Sequence, residues 1–230
     1  MNIYSLLILS FIPVIAFFAI FCICVKGFKV RWGLLSCFLG ILTVIPASFV
    51  QYYILNLPVF YKDTLVNLLI TTVIFNGLIE ETFKMLFLSV IPVKNKTLKH
   101  FFICAVLFGL TLGSIESVIY LIKKLGESLF PLGTKELLKL IFSRMFTSVL
   151  IHIFCAALSS IYLWLFKHKK TKIMPFVWAV LLHGIYNFFA GFTGGFYWFS
   201  IIAILFCILE SRIWYRNAKE LICNEISDNQ

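Results

Sequence analysis

Seven stretches of near-unbroken apolar sequence, close to 3–25, 33–55, 64–92, 100–122, 145–166, 174–192 and 196–214, decide what this chain can become. Each is long enough for a helix to cross the hydrocarbon core of a bilayer, which takes about 20 residues. A spanning segment must satisfy its own backbone polar groups, so it is either a helix or a strand of a closed barrel. Barrel strands would read as alternating segments of about ten residues, and none occur. The expected fold is all-α, a polytopic transmembrane helix bundle of about seven spans. Composition agrees, since 61% of the 230 residues are hydrophobic and 13% are charged, against about 25% charged in a soluble domain. No polar coat remains for a soluble enzyme or a nucleic-acid-binding module. Residues 1–230 therefore read as a single membrane-embedded domain that ends in a polar tail over about 217–230.

The net charge of +10 sits in short basic clusters between the apolar runs, as loops of membrane proteins do. Lys26, Lys29 and Arg31 follow the first run, and Lys94, Lys96 and Lys99 the third. Lys167, Lys169, Lys170 and Lys172 follow the fifth, and Arg212, Arg216 and Lys219 the seventh. These thirteen lie on one side, against six (Lys62, Lys123, Lys124, Lys135, Lys139 and Arg144) on the other. The positive-inside rule then predicts a multi-pass protein of the cell membrane with the N-terminus outside and the C-terminus in the cytoplasm. No Lys or Arg precedes the first run and no A-x-A-like site ends it, so it reads as a span rather than a removable signal. Thr134 to Arg144 reads as an amphipathic lead-in to the fifth run, with Leu137, Leu138, Leu140 and Ile141 on its apolar side. Six of the seven cysteines (Cys22, Cys24, Cys37, Cys104, Cys155 and Cys207) lie in apolar runs, and no CxxC pair occurs. They read as small buried hydrophobes rather than disulfides or metal ligands.

The residues that a membrane helix should not contain carry the functional information. Glu80, Glu81, Lys84, Glu116, His152 and His183 all fall within apolar runs. A charge at the bilayer centre costs about 2.5–3.5 kcal/mol, so such groups have to pair, bind a proton or line a wet cavity. Glu80 and Lys84 are four residues apart and are expected to pair on one helix face, with Glu81 turned about 100° away. Two adjacent carboxylates resist ionising together in a low dielectric, which suits one of them to act as a general base. Gly109, Gly113, Glu116 and Tyr120 form a stripe whose small residues let another helix approach closely. Ser148 and His152 share a face, with Arg144 one turn earlier. His183 and Asn187 share another, where imidazole and carboxamide can both donate to a developing oxyanion. The Asn76-Gly77 pair is a point at which the third run can break or bend.

Acids and histidines without a cofactor motif suggest hydrolysis. No HExxH occurs, no GxSG occurs, and the only aspartates, Asp63 and Asp228, lie outside the apolar runs. What survives is a glutamate-and-histidine site. Glu80-Glu81-Thr82-Phe83-Lys84 resembles the EExxK motif of PrsW-type intramembrane proteases, relatives of the type II CAAX prenyl endopeptidase (ABI/CPBP) superfamily. Leu112 to Ser117 with Tyr120 is similar to their second motif, although Leu112 stands where Phe is common and Ser117 where Asn is usual. His152 preceded by Arg144 is similar to the third, and His183-Gly184-Ile185-Tyr186-Asn187 to the fourth. The four lie in the family's order over roughly 75–190, within a motif-bearing bundle of about 64–192.

The resemblance implies peptide-bond hydrolysis at the membrane. Glu80 or Glu81 would activate the water, Glu116 or His152 would help to hold it, His183 and Asn187 would stabilise the oxyanion, and Lys84 would balance the glutamate pair. A metal-free glutamate mechanism is expected; Zn would instead take Glu80, Glu116, His152 and His183 as ligands. The implied substrate is a membrane-anchored protein such as an anti-sigma factor, cut at site 1 on the outer side. Two other readings of the same residues stay open, a proton-coupled transporter or channel and a non-catalytic membrane scaffold of the same superfamily.

Overall fold

The structure, a computed structural model, describes residues 3–58, 64–93, 96–127 and 133–228; Lys62, Asp63 and Lys94 lie outside the described residues. Among these, all regular structure is helical. Helix α1 spans Ile3–Cys24 and α2 Val30–Leu55. The third apolar run does not break at Asn76-Gly77. It forms one rod in which α3 (Leu65–Leu69) passes through a π-helical stretch, Ile70–Asn76, into α4 (Gly77–Ser89). Helix α5 is Leu98–Glu127, and α6 (Thr134–Met145) leads into α7 (Ser148–Lys167). Helix α8 is Met174–Ala190, and α9 runs over Trp198–Asp228.

Six stretches are long and apolar enough to cross a membrane: Tyr4–Cys24, Val30–Leu55, Leu65–Ser89, Leu98–Gly126, the α6–α7 stretch Thr134–Lys167, and Gly194–Leu221. The seventh expected span, α8, is shorter at 17 residues, the lower limit of a crossing at about 17. The predicted lead-in is α6, which buries Leu137 and Ile141. The polar C-terminal residues are helical as far as Asp228, because Ala218, Lys219, Glu220 and Leu221 are strong helix formers with no Gly or Pro among them, and Ala218 is buried.

Helix α7 is the centre of the bundle, packed against α4, α5, α8 and α9 and buried along most of its length. On one side lies a cluster that includes Leu88, Phe101, Phe108 and Trp164; on the other, α7, α8 and α9 meet through Ile151, Leu158, Ala179, Leu182 and Cys207. The outer helices leave Ile8, Ile12 and Ile15 of α1, Ile45 and Phe49 of α2, and Leu205 and Leu209 of α9 exposed, the surface that lipid tails would cover. The cysteines divide. Cys104, Cys155 and Cys207 are buried, with Cys155 Sγ 3.5 Å from Cys207 Sγ, whereas Cys24 is exposed on the α1 surface and does not read as a buried residue.

Two glycine-mediated crossings bring the polar residues inward. On α5, a Cβ at Gly109 would lie 2.5 Å from the His152 carbonyl oxygen, and one at Gly113 would lie 2.9 Å from Val149 Cα. On the third rod, a Cβ at Gly77 would lie 2.5 Å from the Val180 carbonyl oxygen, and Gly184 of α8 packs against the backbone of Val73 in the π-helical stretch. These positions admit no side chain. Gly109→Ala is therefore expected to destabilise the protein by about 1–3 kcal/mol through overpacking. Gly126→Ala, where no described residue comes within 4 Å, should be neutral or stabilise by up to about 1 kcal/mol. Thermal unfolding of both variants in the same detergent checks the contrast.

Candidate active site

The crossing of Gly77 against α8 sets the carboxylates of α4 beside the imidazole of α8. Glu81 Oε1 lies 2.7 Å from His183 Nδ1 and 2.6 Å from Lys84 Nζ, and Ser159 Oγ of α7 donates to Glu81 Oε2 at 3.3 Å. Glu81, Lys84 and His183 have no solvent exposure. Lys84 thus pairs with Glu81 and not with Glu80 as its spacing suggested. Residues three apart are helix neighbours as well as those four apart, and Glu81 and Lys84 both face the interior, where Ser159 and His183 wait for them. Glu80 faces α2 instead, and Gln51 Nε2 donates to its Oε1 at 2.7 Å.

A carboxylate only accepts hydrogen bonds, so the Glu81 contact assigns a His183 proton to Nδ1, and in the neutral imidazole Nε2 then carries the lone pair. That Nε2 faces Glu80 Oε2 at 3.4 Å. His152 is held in the same way from α5, with its Nε2 2.6 Å from Glu116 Oε2. The two imidazoles meet edge to face, with ring centroids 4.8 Å apart. Glu80 Oε2, His152 Nδ1 and His183 Nε2 are buried and have no hydrogen-bond partner among the described residues. One carboxylate oxygen of Glu80 and one nitrogen from each histidine lie within 4.8 Å of one another, a donor set able to hold a metal ion.

The fold therefore gathers Glu80, Glu81, Lys84, Glu116, His152 and His183 from α4, α5, α7 and α8. Arg144 and Tyr120 form an adjoining pair. The guanidinium stacks over the ring at 4.2 Å and donates to Ser148 Oγ at 2.9 Å, one turn before His152. Asn187 is half-buried one turn beyond His183, and among the described residues no hydrogen bond ties its carboxamide down. Sequence reasoning missed Gln51 and Ser159. The first left a signal, being one of only two glutamines in the chain and the one inside an apolar run; serines in helices are too common to mark the second.

A family model described as PrsW family intramembrane metalloprotease matches residues 29–209, well over half of the chain. The chain belongs to the PrsW family. No curated protein and no solved structure matches it. Membership makes it an intramembrane peptidase and a multi-pass membrane protein whose substrates are proteins. The matched residues include α2, and so Gln51, while α1 lies outside them.

The PrsW-family geometry makes two predictions. Glu81→Gln leaves the Lys84 ammonium buried without its counter-charge and should cost about 3–5 kcal/mol, whereas the double variant Glu81→Gln/Lys84→Met should recover much of that loss; denaturant unfolding in detergent measures both. Gln51→Leu removes a hydrogen bond to a carboxylate, a change of about 1.5–3 kcal/mol. It is expected to lower kcat roughly ten- to hundred-fold with little change in KM, and to lower the melting temperature by several degrees.

Proposed function

We propose that this peptidase hydrolyses a peptide bond of a membrane-anchored protein with water held between Glu80, His152 and His183. The observation that carries the reading is a Glu80 carboxylate oxygen within 4.8 Å of one nitrogen each of His152 and His183, in residues that each bury one polar atom with no hydrogen-bond partner among the described residues. With His183 Nδ1–H given to Glu81 and His152 Nε2–H given to Glu116, all three are lone-pair acceptors. What sits among acceptors has to supply positive charge or hydrogen-bond donors, and a water or a metal cation does so.

One carboxylate and two imidazoles with an open fourth position are the donor set of a catalytic zinc. Glu80, His152 and His183 would hold it, and zinc would supply Lewis-acid polarisation of the scissile carbonyl and of the attacking water. This reading takes the place of the metal-free expectation because facing acceptors favour a cation. It also moves Glu116 out of the ligand set. Glu81 and Glu116 each hold the far nitrogen of a histidine, where carboxylates orient metal-bound imidazoles.

The remaining work falls to the chain's own groups. Gln51 holds Glu80 by one oxygen and leaves the other free. The water oxygen bonds to the carbonyl carbon, the C–N bond breaks, and the water proton passes to the leaving amine. His183 cannot donate to an oxyanion from a lone pair, so that role rests on the Asn187 carboxamide. The count of thirteen basic residues against six supports an N-terminus outside. The motif resemblance supports a regulator such as an anti-sigma factor as the substrate class.

The test uses the full chain in liposomes with single-span membrane proteins as substrates. Glu80→Gln and His183→Ala should lose at least about a hundred-fold in cleavage. Metal analysis should find one zinc per chain in wild type and none in His152→Ala or His183→Ala, and a strong chelator should stop cleavage until Zn²⁺ is restored. Cleavage that persists in metal-free protein would retire zinc and make Glu80 Oε2 the base. Proton flux that depends on Glu80, with no cleaved product, would overturn the peptidase reading altogether.

A further inference from the structure

At the end of the bundle opposite the C-terminal end of α5, the turn after α1 meets the starts of α2 and α5 around a cleft of about 170 Å³. Its walls include Lys29, Arg31, Trp32, Lys96 and His100, and no acid. Trp32 is the pivot, with Lys96 Nζ 3.7 Å and Arg31 Cζ 4.9 Å from its ring centroid. Among the described residues none of Lys29, Arg31 and Lys96 has a carboxylate partner; Lys96 has only the Pro92 carbonyl, at 2.5 Å. His100 is fully used in building the wall. Its Nε2 reaches the Lys26 carbonyl at 3.2 Å and its Nδ1 meets Thr97 Oγ1 at 3.1 Å, which pins the turn at Gly27, where φ is +78°. No side chain caps the N-terminus of α2 at Lys29, so the positive end of its dipole adds to the field, although the Trp32 N–H is taken by the Lys29 carbonyl at 2.9 Å. Burial and the charges of Arg31, Lys29 and Lys167 hold the Lys96 ammonium below the ordinary lysine range.

Three cations line one cleft with no counter-charge among the described residues, two of them over the Trp32 ring; they repel one another, and the cleft between them is the place for an anion. We propose that this cleft binds a phosphate-bearing anion, with Lys29, Arg31 and Lys96 as its charged contacts and the α2 N-terminus behind it. The chemistry fits the headgroup of an anionic phospholipid and equally a free phosphate. The proposal is independent of the peptidase reading, because its site shares no residue with the glutamate–histidine cluster.

Melting of the full chain in neutral detergent, titrated with phosphatidylglycerol, phosphatidylcholine or inorganic phosphate at matched ionic strength, tests it. Phosphatidylglycerol should raise the wild-type melting temperature where phosphatidylcholine does not. Arg31→Gln and the exposed Lys29→Gln should each weaken the titration about five-fold, Arg31→Lys should keep most of it, and Lys139→Gln on the remote α6 should leave it unchanged. A shift from inorganic phosphate that the same two variants weaken supports the site and assigns it to free phosphate. Equal titrations of every anion in wild type, Arg31→Gln and Lys29→Gln, or equal shifts from the two lipids with no variant-sensitive shift from inorganic phosphate, would overturn the proposal.

Discussion

The Glu81–Lys84–His183 unit is the constraint from which the rest of this bundle follows. A fully buried carboxylate and ammonium lose their hydration, and their attraction offsets that loss only with short contacts and every remaining polar group satisfied. Here both conditions hold at Glu81. Its Oε1 takes Lys84 Nζ at 2.6 Å and His183 Nδ1 at 2.7 Å, and its Oε2 takes Ser159 Oγ at 3.3 Å. The unit draws on α4, α7 and α8, so it exists only once three helices are packed. In a lipid environment, where apolar side chains gain little by leaving tails for protein, a network of this kind specifies which helices meet and in which rotation.

Close packing is the other half of that specification. The polar side chains are short relative to a helix diameter, and contacts of 2.6–2.7 Å between groups on different helices need backbones closer than ordinary side chains allow. Gly77 and Gly184 supply this where the third rod crosses α8, and Gly109 and Gly113 where α5 crosses α7. The second crossing lies directly on the backbone of His152, so the glycines of α5 and its Glu116 act on the same imidazole, one on its position and the other on its ring orientation. The π-helical stretch Ile70–Asn76 ends at the residue before Gly77. Its extra residue per turn resets the rotation of α4 relative to α3, which bears directly on where Glu80 and Glu81 point.

Much of this was legible in the sequence, and the parts that were not share a cause. Membrane spans are set by local composition, so the runs near 3–25, 33–55 and 100–122 are close matches to α1, α2 and α5. Intramembrane charges are expensive wherever they occur, so Glu80, Glu81, Glu116, His152 and His183 identified themselves before any helix was placed beside another. Pairing is different, because it depends on helix rotation. The spacing of Glu80 and Lys84 permitted one pair, and the position of Ser159 and His183 selected Lys84 with Glu81 instead. Gln51 is the sharper case, since its 29-residue separation from Glu80 carries no periodicity that could connect them.

The two histidines show how one cluster holds both structure and chemistry. Each gives one nitrogen to a carboxylate and keeps the other bare, so each carboxylate–imidazole pair is satisfied on the side facing its supporting helix and unsatisfied on the side facing Glu80. An arrangement selected for stability alone would close those contacts, because an unpartnered buried acceptor costs about 1–3 kcal/mol. On the proposed reading, these atoms are left open because something else is bound among them. Gln51 fits this account, because it occupies only one oxygen of Glu80 and so orients the carboxylate without quenching it. The interior of the bundle is thus divided between Glu81, whose oxygens are both occupied and which holds helices together, and Glu80 beside it, which is kept half-free.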